Sequence, residues 1–418
     1  MPEFLILVSI LVGLVMLYLY KSIIKLPMIM YLFLTMYNTL PYMSYYFFGG
    51  DIYFADYLYV DYAFLVFVTG LVAFLLGCLS TRFITRTTPY SNNPPVEFAN
   101  LQYISFIIFG AVLAGVVLTG QINHIGSYGG GDPAHARFST LLHFTLIFNI
   151  MFSIYIYLLS NGIDKKYIKY QTLILFILFL VIGNRSVVMG LVLSSAWYVS
   201  NRSTNIIRDV VALGSMFLVL VAVQTFRGAG HVTGTGWVDG MWIVFNRFQD
   251  IDIWVYLMSI QSDNFGVISY VIGRMETIDY FYGYTYLESL VRLIPGFIRS
   301  LAGIDDEGEI FNHVEFLGYD GIAFSLMAEL YMNFGHLGVI ILMFIIGTGV
   351  AYVSDMADKK KGLYLIFMLN MYTVISTLTR NDSALSIKQF VYTAAILAIV
   401  LAVSIRTKKN RGGNENRG

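Results

Sequence analysis

The chain has 418 residues, of which 57% are hydrophobic and only 12% are charged. Apolar runs long enough to cross a bilayer recur from end to end, so we predict an all-α, polytopic membrane protein. A formal net charge of +0 identifies no partner, because in such a protein the sidedness of charge carries the information. The single cysteine, Cys78, lies within an apolar run, which excludes a disulfide framework and a cysteine metal site.

In chain order, hydropathy and positive charge together predict about eleven transmembrane helices. The first has no basic region before it and no small-residue cleavage signal after it, so we expect a retained span rather than a signal peptide. The predicted spans lie near residues 3–20, 26–48, 61–81, 100–120, 141–160, 170–183, 186–200, 209–226, 337–354, 362–379 and 387–405.

The positive charges are unevenly distributed between the two sides of this arrangement. Seventeen of the 26 lysines and arginines fall in the C-terminal tail or in connections on one side, which is therefore predicted to be cytoplasmic. The N-terminus is then outside and the C-terminus inside. The other side carries eight arginines and one lysine.

These spans divide the chain into three parts. Residues 1–226 form an N-terminal membrane bundle of eight spans, which includes a short hairpin at 170–200. Residues 227–336 form one large external segment that contains short helices and is the predicted location of the site. Residues 337–418 form a C-terminal bundle of three spans and a cytoplasmic tail.

The large external segment contains arginine but no lysine. A guanidinium stays charged and pairs bidentately with phosphate oxygens, so this bias favours a diphosphate ligand outside the membrane. Pairing of individual arginines with external acids is the alternative. Arg185 differs from the rest, since it occupies the tip of the short hairpin in Gly183-Asn184-Arg185-Ser186. A charge at such depth usually faces a partner or an aqueous cavity, although transporters also use short broken helices.

Two residues are candidates for a general base. Glu329 is the only acidic or basic residue between Gly321 and Phe334, in an apolar helix that leads into the ninth span. Loss of hydration makes a carboxylate a stronger proton acceptor, but a structural carboxylate paired with arginine remains open. His313 is second, because a lone loop histidine is more often structural.

Two acidic motifs in the external segment do not lead to a predicted metal. Asp250-Ile251-Asp252 resembles the metal-binding motif of nucleotide-sugar transferases, but it lies on the external side, away from cytoplasmic nucleotide sugars. The acidic turn at 305–309 lacks the spacing of a calcium loop. We therefore predict no metal and no cofactor, and no nucleic-acid partner.

Several short motifs resemble the Wzy-type polymerases of O-antigens and related repeat-unit polysaccharides. They are the Gly183–Ser186 hairpin, Arg292-Leu293-Ile294-Pro295, and Ala328-Glu329-x-Tyr331-x-Asn333-Phe334-Gly335-x-x-Gly338, together with the number of spans. The chain departs from many members in having a short loop at about 121–140 where they have a second large external loop.

The resemblance implies a metal-independent glycosyltransferase at the outer face of the bacterial plasma membrane. Its donor is a growing chain on undecaprenyl diphosphate, its acceptor is one lipid-linked repeat unit, and a chain-length-determining co-polymerase is an expected partner. Glu329, with His313 second, is then assigned as the base. The residues assigned to the diphosphate are Arg185, Arg227, Arg247, Arg292, Arg299 and Arg380.

Three other functions remain open from the sequence. An O-antigen ligase uses the same donor on the same side and differs in its acceptor, a lipid A core. A lipid-linked oligosaccharide flippase more often has twelve to fourteen spans with charges inside them, whereas these spans are almost free of charge. A structural component of an envelope machine has no need of the external arginines.

Overall fold

The computed structural model describes part of the chain, and every described secondary-structure element is helical. The described residues are 1–88, 101–118, 148–182, 185–201, 207, 209–211, 214, 262–291, 293–294, 316–318, 324–360, 362–380, 383 and 385–399. The all-α prediction is confirmed for these residues, which contain no strand.

Most described helices overlap predicted spans, whereas Ser262–Met275 and Tyr284–Val291 lie in the predicted external segment. They are α1 (Pro2–Tyr20), α2 (Leu26–Leu34), α3 (Leu40–Phe48), α4 (Val60–Thr85), α5 (Leu101–Leu118), α6 (Phe148–Ser160), α7 (Lys166–Ile182), α8 (Arg185–Asn201), α9 (Ser262–Met275), α10 (Tyr284–Val291), α11 (Leu326–Lys360), α12 (Leu363–Leu378) and α13 (Leu385–Ile399). A π-helical turn, Thr35–Thr39, joins α2 to α3.

Three helices are long and apolar enough to cross a membrane. By length and composition these are Pro2–Tyr20, Val60–Thr85 and Leu326–Lys359, and four shorter apolar helices accompany them in the described ranges. The protein is therefore a helical membrane protein, whereas the number of about eleven spans stays a prediction.

The chain forms two compact units. The first contains residues 1–88, 250–355 and 374–389, and the second contains residues 89–249, 356–373 and 390–418. Each unit is thus assembled from segments that are distant in sequence.

An aromatic cluster joins α3, α4 and α9 in the first unit. The rings of Tyr42 and Phe64 stack with centroids 3.8 Å apart, and the ring of Phe265 meets them edge-on at 5.8 and 6.1 Å. All three side chains are fully buried. The phenol of Tyr42 donates a hydrogen bond to Asp61 Oδ1 at 2.7 Å, so its buried hydroxyl has an acceptor.

The two longest helices, α4 and α11, touch through glycines. A Cβ on Gly77 would collide with the carbonyl of Phe344, and a Cβ on Gly347 would collide with the carbonyl of Phe74. Small residues at such positions let helix backbones approach closely in a membrane, where dispersion and interhelical hydrogen bonds replace the hydrophobic effect. Thr81 Oγ1 donates to the carbonyl of Thr348 at 2.9 Å beside this contact.

The second unit packs α6, α8 and the first part of α12 through polar contacts. Asn149 Nδ2 donates to Thr373 Oγ1 at 3.1 Å, and Ser194 Oγ donates to the carbonyl of Leu369 at 3.3 Å. A Cβ on Gly190 would overlap the Thr373 hydroxyl. These contacts repeat the use of small and polar residues between apolar helices.

We expect Gly347→Leu to lower the thermal stability of the purified protein in detergent. The added side chain must separate α4 from α11 or displace the carbonyl of Phe74, and such overpacking typically costs about 1–3 kcal/mol. Gly349→Leu is the matched control, because a Cβ at Gly349 meets no atom within 4 Å. Equal melting temperatures for the two variants would contradict the close contact.

Candidate active site around Glu329

Glu329 lies in the first turn of α11, on an otherwise apolar stretch of helix. Its backbone N–H donates to the carbonyl of Ser325 at 3.0 Å, and its neighbours Ala328 and Leu330 are buried. The side chain of Glu329 is itself only 2% exposed. A carboxylate near a helix N-terminus interacts favourably with the helix dipole, but burial of its charge still requires hydrogen-bond donors.

Among the described residues, Thr285 and Ser383 supply three donors to this carboxylate. Thr285 Oγ1 on α10 donates to Oε1 at 2.9 Å, and Ser383 Oγ donates to the same oxygen at 2.7 Å. The backbone N–H of Ser383 donates to Oε2 at 2.6 Å. Hydrogen bonds to an ionised acceptor are stronger than neutral ones, so Glu329 holds α10, α11 and the α12–α13 connection together.

Asn333 continues the network one turn further along α11. Its Nδ2 donates to Thr285 Oγ1 at 2.8 Å and to the carbonyl of Glu329 at 2.8 Å, while its Oδ1 accepts from the N–H of Gly283 at 2.9 Å. Thr285 therefore accepts from Asn333 and donates to Glu329. This direction follows because a side-chain amide has both donors and an acceptor, whereas an ionised carboxylate only accepts.

Gly335 breaks the helical conformation within α11, and the break has a structural use. Gly335 has φ 65° and ψ −165° within α11, a conformation that is essentially restricted to glycine. The break interrupts the helical hydrogen-bond pattern, and the carbonyls of Met332 and Asn333 accept from the N–H groups of Phe281 and Tyr282, at 3.1 and 3.0 Å. The turn that precedes α10 is thereby attached to α11.

A second pair of hydroxyls connects α10 to the α12–α13 connection. Ser289 follows Thr285 by one helical turn, and its Oγ lies 3.0 Å from Ser383 Oγ. Both serines are buried. The α12–α13 connection is thus bound to α10 directly as well as through Glu329.

Arg380 stands at the other end of the same connection. Asn264 on α9 is fully buried, and its Nδ2 donates to the carbonyls of Thr379 and Arg380, each at 3.4 Å. Among the described residues, neither Arg380 Nε nor Asn264 Oδ1 has a hydrogen-bond partner. A buried donor and a buried acceptor without partners are costly, and groups of this kind are common where a ligand binds.

Tyr286 adds a neutral polar group beside Glu329. Burial, followed by the negative charge of Glu329, raises the pKa of Tyr286 well above its ordinary value, so the phenol keeps its proton at neutral pH. Its ring stacks with Phe334 at a centroid distance of 6.2 Å. Within the described part of the chain its buried hydroxyl has no hydrogen-bond partner.

Three of the residues predicted from the sequence lie among the described residues. Glu329 contacts Ser383, which follows Arg380 by three positions in the chain, and Arg185 is the first residue of α8 in the other unit; their roles stay predictions. The remaining predicted residues lie outside the described residues, and their roles stay predictions; they are Arg227, Arg247, Arg292, Arg299 and His313.

Sequence reasoning did not assign roles to Thr285, Ser383, Asn333 or Tyr286. Asn333 had a detectable signal, because residues four apart share one face of a helix and so place it beside Glu329. Thr285 and Ser383 are distant from Glu329 in the chain, so no local sequence pattern indicates that they contact it. Across the described ranges, no group of three or more His, Cys, Asp or Glu residues is arranged to hold a metal ion.

Comparison with known proteins gives one match. A family model described as O-antigen polysaccharide polymerase Wzy matches residues 3–410, almost the full length of the chain. No curated protein and no solved structure matches it.

We expect Asn333→Asp to destabilise the protein. The substitution replaces an amide that donates to Thr285 and to the Glu329 carbonyl with an acceptor-only group close to a second carboxylate. Loss of a buried donor typically costs about 1–3 kcal/mol. The measurement is thermal unfolding in detergent, with Asn201→Asp as a control at the exposed end of α8. An unchanged melting temperature for Asn333→Asp would argue against the network.

Proposed function

Because the chain belongs to the Wzy family of O-antigen polysaccharide polymerases, we propose that it elongates a surface glycan at the outer face of the bacterial plasma membrane. The family carries out polymerisation of O-antigen repeat units. The proposed donor is the growing chain on undecaprenyl diphosphate, and the proposed acceptor is a hydroxyl of one new lipid-linked repeat unit. A chain-length-determining co-polymerase is the proposed partner.

The reaction has two chemical requirements. The bond between the anomeric carbon and the diphosphate breaks, so negative charge develops on the leaving lipid diphosphate and needs a fixed cation. A new glycosidic bond forms to the acceptor oxygen, whose proton must pass to a base. A preorganised arginine can meet the first requirement, since a guanidinium binds phosphate oxygens in a defined geometry.

The observation that supports this proposal is the position of Arg380 three residues before Ser383, whose hydroxyl and N–H donate to the buried Glu329. A buried carboxylate holds one end of the α12–α13 connection, and a half-buried arginine lies at its other end. The second requirement is a base for the acceptor proton, and Glu329 and His313 remain the predicted bases. The Glu329 carboxylate accepts three hydrogen bonds from described residues, and His313 lies outside the described residues.

Gene deletion is the first test, with surface glycans and lipid-linked precursors separated on a gel. We expect the core to carry a single repeat unit and the ladder of longer chains to disappear, because each step of the ladder requires one transfer. Full-length polymer on the lipid carrier would instead indicate a ligase, and repeat units retained inside would indicate a flippase. An unchanged ladder would contradict all three functions.

Complementation of the deletion strain with Arg380→Ala tests the leaving-group assignment. We expect the rate of chain extension to fall by about 10² to 10³, the usual effect of removing one transition-state donor. Arg86→Ala is the control, because Arg86 is exposed just beyond the end of α4. Normal amounts of the variant in the membrane must accompany the loss, and a normal ladder from Arg380→Ala would refute the assignment.

A further inference from the structure

We infer that Glu329 is a positioning residue that fixes Arg380 in place to bind the diphosphate of a polyprenyl diphosphate, and that it acts through Ser383. This inference rests on the proposed function and deepens it. It assigns the carboxylate a different role from the general base that the sequence predicts.

The first argument is the number and direction of the contacts to Glu329. The Ser383 hydroxyl, the Ser383 backbone N–H and the Thr285 hydroxyl all donate to its carboxylate. A catalytic base must instead contact the hydroxyl of the substrate. With only 2% of the residue exposed, the geometry of Glu329 is that of an anchor for neighbouring groups.

The second argument is that the segment between Thr379 and Ser383 is held at both ends. Asn264 binds the carbonyls of Thr379 and Arg380 at one end. At the other end Ser383 is bound by Glu329 and also by the Ser289 hydroxyl. Only two residues separate Arg380 from Ser383, so this double attachment restricts where the Arg380 side chain can reach.

The third argument is the state of the groups at the Arg380 end. Asn264 is fully buried and Arg380 is half-buried, yet Asn264 Oδ1 and Arg380 Nε have no hydrogen-bond partner among the residues the structure describes. Because Asn264 also contacts the Arg380 carbonyl, an unpartnered buried acceptor and an unpartnered guanidinium N–H belong to two residues in direct contact. Phosphate oxygens fit the guanidinium.

Preorganisation explains why such an anchor is useful. An arginine side chain has several rotatable bonds, and an arginine that is held in place loses less entropy when it binds its anion. In a transferase, a donor fixed in advance also stabilises the developing charge without reorganisation. Loss of the anchor should therefore weaken binding of the diphosphate even though no contact to the ligand itself is removed.

A double-mutant cycle on the full-length protein in detergent tests this inference, with farnesyl diphosphate as the probe and farnesol as the uncharged comparison. We expect Ser383→Ala and Arg380→Lys each to raise the Kd of farnesyl diphosphate about tenfold. The double variant should also show about a tenfold rise, because coupled residues are not additive. Ser195→Ala is the matched serine control, since its hydroxyl donates to the Leu191 carbonyl of its own helix.

A rise of roughly a hundredfold in the double variant would mean independent residues and would overturn the inference. So would unchanged binding in Ser383→Ala. Melting temperatures of all variants are measured alongside, so that a loss of probe binding is separated from a loss of folding.

Steady-state kinetics with a lipid-linked repeat unit separates positioning from base catalysis. For Glu329→Gln, positioning predicts a higher KM for the lipid-linked donor together with weaker farnesyl diphosphate binding. A base predicts a fall in kcat with KM and probe binding unchanged. If Ser383 and Arg380 are coupled in probe binding but the protein forms no ladder, the diphosphate site is supported and the proposed function is contradicted. If the protein forms a ladder but the two substitutions are additive, the proposed function is supported and the inference is contradicted.

Discussion

A carboxylate buried among apolar helices must be hydrogen-bonded, and this constraint determines the arrangement around Glu329. Burial without donors would cost several kcal/mol or force the group to take up a proton. The chain meets the requirement with donors from Thr285 and Ser383, which are separated from Glu329 by 44 and 54 residues. One buried charge therefore specifies how three segments of the first unit come together.

The break at Gly335 makes the second half of the arrangement possible. Because the backbone leaves the helical conformation there, the carbonyls of Met332 and Asn333 bind the turn before α10. That turn in turn places Thr285 against Glu329. One short stretch of α11 thus supplies the Glu329 carboxylate and the Asn333 amide that orients Thr285. It also contains the break at Gly335, next to which the turn before α10 binds. Local irregularity of this kind is common at functional sites.

The sequence predicts the helices and the family, but of the residues around Glu329 it predicts only Glu329 and Arg380 as functional. Apolar runs identify helices because burial and hydrogen bonding inside a bilayer leave few alternatives, and Glu329 was recognised as a charge in such a run. Its contacts with Ser383 and Thr285 were not predictable, since side-chain hydrogen bonds between distant segments leave no local pattern. The positioning role that we propose for Glu329 could not be inferred for the same reason: the sequence shows an isolated carboxylate, and the structure shows its donors.

The most direct test of the Glu329 network compares Thr285→Val with Thr285→Ser in a polymerisation assay with purified protein and a lipid-linked repeat unit. Valine preserves the shape of threonine without its hydroxyl, and serine preserves the hydroxyl without the methyl group. We expect the serine variant to extend chains at close to the wild-type rate and the valine variant to lose extension by at least about tenfold, the effect of one buried hydrogen bond. Equal rates for the two variants would contradict a site organised by hydrogen bonds to Glu329.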